Sequence, residues 1–593
     1  MNNIEKPLSV YKAVRYTIPL VIKSVPLASL LSVLLAALNG ASWGLVAPIN
    51  RHLYDALIDL AAGQGLLRFV YTSIAMVIAL MLMQQLISAV HSFISYYALK
   101  EKASGCLAKI IFDKVSLLPA QFFEDKDRLD DIEKAGSGKD GAINMYISIS
   151  DGLFFYSAYY GIMGTFLWQM EPVLLLAVVF IFTPVLLTQI VEAKIYSKLE
   201  DVSAPIRRQY FHYEYCLTGS KTMKETRIFG AYFFFMQLFR NSLELLMQND
   251  WDAHKKITAI HLCLNIIKGA GWVGVIILLF RSLMEGSITV GAFAAVFTSV
   301  GMMFNSIEGL LIQIKSNITQ NLGRIHNFIR LLDVPILETN NNTPDFTKGV
   351  IAESITFAYP KSEKNAVDSV SIVLKPGETL ALVGENGSGK TTLVKLLCGL
   401  YKPDKGHILI GGCNTTNTAS SALFSKTSGV FQNYCCYVFE LEENVRISSA
   451  MSTNDPIPAL IDADVDYKDE QTFPNGLKTI LDREYGGVDL SGGQWQRVAT
   501  ARGLYRQHDF IVLDEPTSAI DPIEETRIYK RFAELTRDKM AIIVTHRLGS
   551  VRIADRIVVM DSGKIIESGT HEELLVCNGK YTEMWMTQAE NYK

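Results

Sequence analysis

The chain lacks a strong excess of either charge and a zinc-like cysteine pattern, and each lack removes a class of protein. Net charge is only −4 over 593 residues, so nucleic acid is not expected as a main partner. The eight cysteines (Cys106, Cys216, Cys263, Cys398, Cys413, Cys435, Cys436 and Cys577) do not fall at metal-ligand spacings; Cys435 and Cys436 are adjacent rather than two apart. Free thiols in a reducing compartment are expected. The first apolar stretch begins after about twenty residues and runs too long for the core of a signal peptide, so no cleaved leader is expected. Charged residues make up 20% and hydrophobic residues 49% of the chain. That is apolar for a soluble protein of this length, yet too charged for a chain that lies wholly in a bilayer. Single cores stop growing at roughly 250–300 residues, so several domains are expected.

What is present divides near residue 330. Crossing a hydrocarbon core takes ~20 mostly apolar residues. Six candidate spans precede residue 320: about Ile22–Pro48, Phe69–Tyr97, Met145–Met170, Val173–Glu192, Ile257–Leu283 and Ile288–Ile314. Lys and Arg concentrate in two long loops, 99–144 and 193–256, while the other three loops hold little beyond Arg51, Arg68 and Arg281. The two long loops and both termini are therefore expected in the cytosol. Both loops show helical periodicity on either side of a short break, which predicts helices that run past the bilayer and turn back. One ionisable residue, Lys268, falls mid-span in the fifth segment, with Glu308 in the sixth as candidate partner. A buried ammonium needs a partner or a water-filled cavity, so Lys268 either makes a structural pair or lines such a cavity.

From about Gly349 strands and helices alternate. Thr379–Val383 reads as a short buried strand, followed by Gly384, Glu385, Asn386, Gly387, Ser388, Gly389, Lys390, Thr391 and Thr392 and then a helix. Strand, glycine loop and helix in that order make a phosphate cradle: backbone N–H groups wrap the anion and the helix N-terminus adds its dipole. Lys390 is expected to reach the terminal phosphates of ATP, and the Thr391 hydroxyl to ligate Mg²⁺. A second apolar strand, Phe510–Leu513, ends in Asp514 and Glu515. Asp514 is placed to hold the Mg²⁺ shell and Glu515 to polarise an attacking water. Ser491, Gly492, Gly493 and Gln494 open a further helix, a second anion site for another nucleotide. Gln432 follows the strand-like segment Gly429–Phe431, within reach of metal or water. His546 follows Ala541–Thr545 and could touch a γ-phosphate.

In combination these segments (GENGSGKTT, the Gln432 loop, LSGGQ, FIVLDEPTS, Ser518–Asp521 and His546) resemble the ATP-binding cassette (ABC) transporters, specifically exporter-type half-transporters. The resemblance implies a multidomain chain: an all-α six-helix transmembrane domain (1–330), a linker (331–348) and an α/β P-loop NTPase cassette (349–593). It implies that Tyr359 stacks on adenine, that Asp521 belongs to the nucleotide site, and that two cassettes face head to tail, each ATP lying between one chain's phosphate loop and the other's LSGGQ. The partner is then a second identical or related subunit, and the place a bacterial cytoplasmic membrane. Coupling helices are expected near Glu124–Ile132 and Ser220–Thr226, and Glu484 stands where an interface glutamate would, although the run before LSGGQ carries one residue more than usual. Within the family, Trp495-Gln496 after the signature, FQNYCCYVFELEENVRIS and KETRIFGA look most like exporters of lantibiotic-type peptides. The short stretch before the first span leaves no room for a leading peptidase, so a precursor would be exported uncleaved. Lipid or a hydrophobic small molecule is the alternative cargo. A soluble ABC ATPase acting on nucleic acid conflicts with the apolar spans. A channel that only binds ATP conflicts with the full set of Glu515, Gln432 and His546. An importer usually keeps membrane and cassette parts on separate chains.

Overall fold

The computed structural model describes residues 9–219, 222–314, 317, 321–336, 340–515, 531–545 and 548–590. It divides into two compact units: Met1–Ser116 with Asp131–Val334, and Leu117–Asp130 with Pro335–Lys593.

The described residues of the first unit are built into helices. Its elements are α1 (Val10–Ser24), α2 (Pro26–Gly44), α3 (Val46–Ala61), α4 (Leu67–Ser92), α5 (Lys100–Ser116), α6 (Lys126–Ser150), α7 (Tyr156–Met170), α8 (Pro172–Thr218), α9 (Met223–Ile228), α10 (Tyr232–Met284), α11 (Val290–Ile314) and α12 (Leu322–Asp333). Proline sets two of the starts: Pro26 and Pro172 each occupy the first helical turn, where a missing N–H costs nothing. Glu171, extended at φ −160°, makes a one-residue break between α7 and α8. Four helical stretches are long and apolar enough to cross a membrane among the described residues: Pro26–Ala61, Leu67–Ser116, Tyr232–Met284 and Val290–Ile314. The third and fourth candidate spans are helices too, inside α6–α7 and α8, with most side chains of 178–201 outside the description.

Several helices outrun the apolar segments that announced them. The first continues to Ala61 and the second to Ser116. Hydropathy marks where a helix meets lipid, whereas backbone hydrogen bonds carry it on through charged sequence. Two π-helical turns, Phe93–Leu99 and Asp151–Phe155, interrupt α4–α5 and α6–α7. The second sits against α2 so closely that a Cβ on Gly40 would lie 2.0 Å from the Phe155 carbonyl oxygen. Gly40 and Gly44 thus let two backbones touch, the packing that small residues four apart permit inside a membrane. Lys268 on α10 does pair with Glu308 on α11, and its ammonium stands 5.4 Å from the centre of the buried Phe304 ring.

The second unit is built on two sheets. A six-stranded sheet runs β10-β9-β3-β8-β7-β6, with β3 (Thr379–Val383), β6 (Thr427–Val430), β7 (Phe510–Asp514), β8 (Met540–Val544) and β9 (Arg556–Asp561) parallel and β10 (Lys564–Gly569) antiparallel at one edge. A four-stranded antiparallel sheet runs β2-β1-β4-β5, from β1 (Val350–Phe357), β2 (Val367–Leu374), β4 (Lys405–Ile410) and β5 (Cys413–Asn414). Strands β3, β7 and β8 are buried along their whole length, as all-apolar central strands of a parallel sheet must be. Around them lie α13 (Lys390–Leu397), α14 (Ser420–Leu423), α15 (Leu441–Arg446), α16 (Ile457–Asp462) and α17 (Gly492–Tyr505).

The tip of the first long loop belongs to this second unit. Within the segment Glu124–Ile132, where a coupling helix was expected, Glu124 closes a 3-10 turn (Ala120–Glu124), Asp125 is extended, and the rest is the start of the long helix α6. Phe122 is buried, Ala120 packs on the core of the sheets, and Gln121 Nε2 donates to the Lys402 carbonyl at 2.5 Å. In the second loop α9 covers Met223–Ile228, while Ser220 and Lys221 lie outside the described residues.

Candidate active site

The glycine loop leaves β3 and enters α13, as the order of residues demanded. Gly384 (φ +151°) and Gly389 (φ +101°) hold backbone conformations that side chains rarely adopt. A Cβ on either would lie 2.3 Å from a carbonyl oxygen, that of Met560 or Ala366. Lys390 folds over the loop and donates to the Gly384 and Glu385 carbonyls, both at 2.9 Å. Burial pulls its pKa down, with Glu515 and Asp514 acting the other way. The Ser388 hydroxyl oxygen is buried and has no hydrogen-bond partner among the described residues. Glu385 meets Lys580 at 2.9 Å, while Asn386 and Gly387 are exposed.

Asp514 ends β7 beside this loop and is 1% exposed. Burial pushes its carboxyl up to about 6, and the Thr391 hydroxyl donates to it at 3.4 Å. A desolvated carboxylate beside a threonine hydroxyl and a phosphate cradle suits a hard, oxygen-seeking cation, so Asp514 and Thr391 fit the Mg²⁺ role. The raised pKa also has a sign. Between about 4 and 6 the folded chain holds this proton more tightly than the unfolded one, so Asp514 contributes less to stability as pH rises through that window. Asp514→Asn is therefore expected to raise the nucleotide-free melting temperature at pH 7.5 while abolishing Mg²⁺-dependent hydrolysis; a lower melting temperature would show that the charge is stabilised in place.

Glu515 follows at φ +50°, strained for a residue with a side chain. Three contacts hold it. Its N–H donates to the Val544 carbonyl at 3.0 Å, the Gln496 amide donates to its carbonyl at 3.2 Å, and the Gln432 amide donates to its carboxylate at 2.7 Å. Gln432 and Glu515, 83 residues apart, are thus brought together at the head of the phosphate loop. Gln496, buried on α17, is a positioning residue that sequence reasoning noticed only as part of a resemblance.

The segment expected as a second anion site is a capped helix start. Ser491 Oγ accepts from the Gln494 N–H at 3.3 Å, and Gln494 Oε1 accepts from the Ser491 N–H at 2.8 Å. This reciprocal pair fixes the first turn of α17 and leaves Gly492 and Gly493 without side chains before it. Tyr434 donates to the Gly492 carbonyl at 2.7 Å, which ties the Gln432 loop to the signature.

Tyr359 lies just past β1, half-buried, with its hydroxyl 3.0 Å from Thr392 Oγ1. Its ring meets Phe357 and Tyr401 edge-on. Glu484 sits exposed in the 3-10 turn Arg483–Tyr485. Asp521 and His546 lie outside the described residues.

A further contact went unforeseen. Glu124, at the end of the loop-tip turn, accepts from the Tyr401 hydroxyl and lies 3.4 Å from Lys395 Nζ, which itself reaches the Tyr401 oxygen at 2.9 Å. Lys395 is in the last turn of α13, the phosphate-loop helix. Nothing in the pattern of residues 117–130 distinguishes a solvated acid from one docked 271 positions away.

Residues 367–518 match the family model for the ABC transporter. Among curated proteins the chain is 30% identical over 393 residues to the subtilin transport ATP-binding protein SpaT of Bacillus subtilis, covering 65% of this chain and 63% of that one. It is 34% identical over 308 residues to the ATP-dependent lipid A-core flippase of Methylobacillus flagellatus, covering 51% and 52%. The chain thus spans between half and two thirds of the length of these relatives. Among solved structures it resembles a bacterial Atm1-family ABC exporter with ATP bound, with TM-score 0.72 and 21% identity over 95% of this chain and 99% of that one. The fold is therefore that of the solved ABC exporter: a helical domain, with four helical stretches long and apolar enough to cross a membrane among the described residues, followed by an α/β cassette.

Proposed function

We propose that this chain, an ABC exporter half-transporter by its fold and cassette, hydrolyses ATP with Mg²⁺ and uses the turnover to export a substrate from the cytosol across the bacterial cytoplasmic membrane. The observation that carries the reading is the meeting of Gln432, Glu515, Asp514 and Lys390 around one glycine loop. ATP phosphates would lie on the loop's N–H groups with Lys390 turned to them and Tyr359 against the base. Bound Mg²⁺ would supply charge neutralisation at the phosphates, held by Asp514, Thr391 and Gln432. Glu515 orients water and accepts its proton, Gln432 holds the carboxylate in place, and the family resemblance adds roles for His546 and Asp521. The Ser491–Gln494 turn serves the nucleotide of a second, identical or related, subunit.

The Glu124 contact with Lys395 and Tyr401 would link the tip of the first long loop to the phosphate-loop helix. Glu124→Gln is expected to leave basal ATPase within about twofold, since an exposed pair contributes little to stability, yet to remove most substrate-stimulated hydrolysis. Stimulation equal to wild type would take Glu124 out of the coupling.

For the cargo we favour a peptide of the modified, lantibiotic type over lipid or a hydrophobic small molecule. The subtilin relative supports it with the longer match, 393 residues against 308, together with the residues around Trp495-Gln496 and Lys224–Ala231. The Lys268–Glu308 pair is the candidate substrate contact, since a salt bridge at membrane depth is costly unless it is used. Lys268→Met is expected to change transport or substrate-stimulated ATPase several-fold while ATP affinity stays as in wild type; unchanged transport would remove Lys268 from the pathway. The deciding experiment is ATPase of the reconstituted protein against a panel of peptides, lipids and drugs. Stimulation by lipid alone would replace the peptide reading.

A further inference from the structure

We propose that the adjacent thiols Cys435 and Cys436 are an oxidation site: a vicinal dithiol that a peroxide converts reversibly to a disulfide, switching off ATP turnover. The idea rests on the ATPase reading only for the activity that is switched.

Both cysteines are exposed, in the irregular segment between β6 and α15. That segment is the physical link between the two halves of the nucleotide machinery. Three residues before Cys435, Gln432 holds the Glu515 carboxylate. One residue before, Tyr434 holds the Gly492 carbonyl at the signature. At Cys435 itself, Arg502 Nη1 donates to the carbonyl at 3.1 Å, while the same guanidinium donates to the Asn444 backbone and side chain at 2.9 and 3.0 Å and covers the Tyr437 ring. The peptide joining the two cysteines is thus clamped from α15 and α17.

A disulfide between neighbours cannot leave that peptide in place. Consecutive Cα atoms are ~3.8 Å apart, below the roughly 4.4–6.8 Å range of ordinary disulfides. Closing the ring therefore twists the Cys435–Cys436 peptide and turns the Cys435 carbonyl off Arg502. The displacement runs back to Tyr434 and Gln432, the two contacts that align Glu515 with the signature. Strain of this kind makes a disulfide easily reduced, which suits a reversible switch rather than a permanent staple.

The chemistry balances with a peroxide as oxidant. One thiolate attacks a peroxide oxygen, the O–O bond breaks, and the leaving oxygen takes a proton and departs as water, leaving a sulfenic acid. The neighbouring thiol attacks that sulfur, the S–S bond forms, the S–O bond breaks and a second water leaves. The two sulfurs give up two electrons in all and the peroxide accepts them. Partial burial holds the Cys436 thiol above its ordinary pKa, against the pull of Arg502.

The test uses the full-length protein in liposomes, reduced, then treated with hydrogen peroxide and afterwards with dithiothreitol. ATPase is expected to fall about 10-fold or more as alignment at the reacting centre is lost, and to recover on reduction. Peptide mass analysis should show the 432–440 segment lighter by two hydrogens. Cys435→Ser, Cys436→Ser and the double variant, which keeps the other cysteines, should start with wild-type ATPase and resist peroxide. A Cys435→Ala/Cys436→Ala pair checks that serine itself is not at fault. Equal inhibition of the double variants, a disulfide formed without loss of activity, no disulfide at all, or a cross-link only between chains would each overturn the proposal. A reduced wild-type protein with no ATPase would count against the transport reading instead, because the disulfide is read independently by mass.

Discussion

Replacing Glu515 by glutamine is expected to cut steady ATP hydrolysis by ~10²–10⁴-fold while ATP still binds and becomes trapped. The prediction follows from how the residue is held. Its backbone is strained at φ +50° and kept there by the Val544 carbonyl and the Gln496 amide, so the side chain leaves β7 in one direction. Its carboxylate meets the Gln432 amide at 2.7 Å, within reach of the loop that carries Lys390. Glutamine has the same shape and can still meet Gln432, but it cannot accept a proton from water. Binding should therefore survive and turnover should not. Hydrolysis close to wild type, read as phosphate release from purified protein, would mean that the base lies elsewhere.

Lys390→Ala is expected to be comparably severe for a different reason. Lys390 places an ammonium inside the phosphate loop, where burial weakens its hold on its proton and the two neighbouring acids strengthen it. Its contacts to the Gly384 and Glu385 carbonyls are those of a donor waiting for phosphate oxygens. Removing it takes away a preorganised donor at a dry site, a loss on the order of 10²–10³ in turnover. Nucleotide affinity should fall as well, which separates this variant from Glu515→Gln. ATP binding by fluorescence titration, set beside phosphate release, distinguishes the two. Wild-type affinity in Lys390→Ala would place the phosphates off the loop.

The pattern of residues revealed the engine more fully than the gearing. Strand Thr379–Val383 emerged with the bounds expected, and Phe510–Asp514 within one residue, because a buried parallel strand is a short, wholly apolar run between loops. The Lys268–Glu308 pair was legible because charge is rare at membrane depth. The continuation of α4–α5 through the charged loop followed from its helical periodicity, but its end at Ser116 did not, since hydropathy marks only the apolar part. The π turns at Phe93 and Asp151 have no local signature among these residues. Glu124 was expected to open a coupling helix, but the helix starts at Lys126 and Glu124 closes a 3-10 turn whose Phe122 is buried, a tertiary choice that periodicity cannot express. Gln496 escaped for the same reason: its use depends on where α17 lies against β7, not on its neighbours in sequence.

The most direct measurement is uptake of labelled peptide into proteoliposomes whose cassettes face outward, with MgATP added outside, for wild type and Glu515→Gln side by side. Uptake should track phosphate release in wild type and vanish in the variant. Equal accumulation by both proteins, or by wild type without ATP, would contradict the claim that turnover at this site moves the cargo.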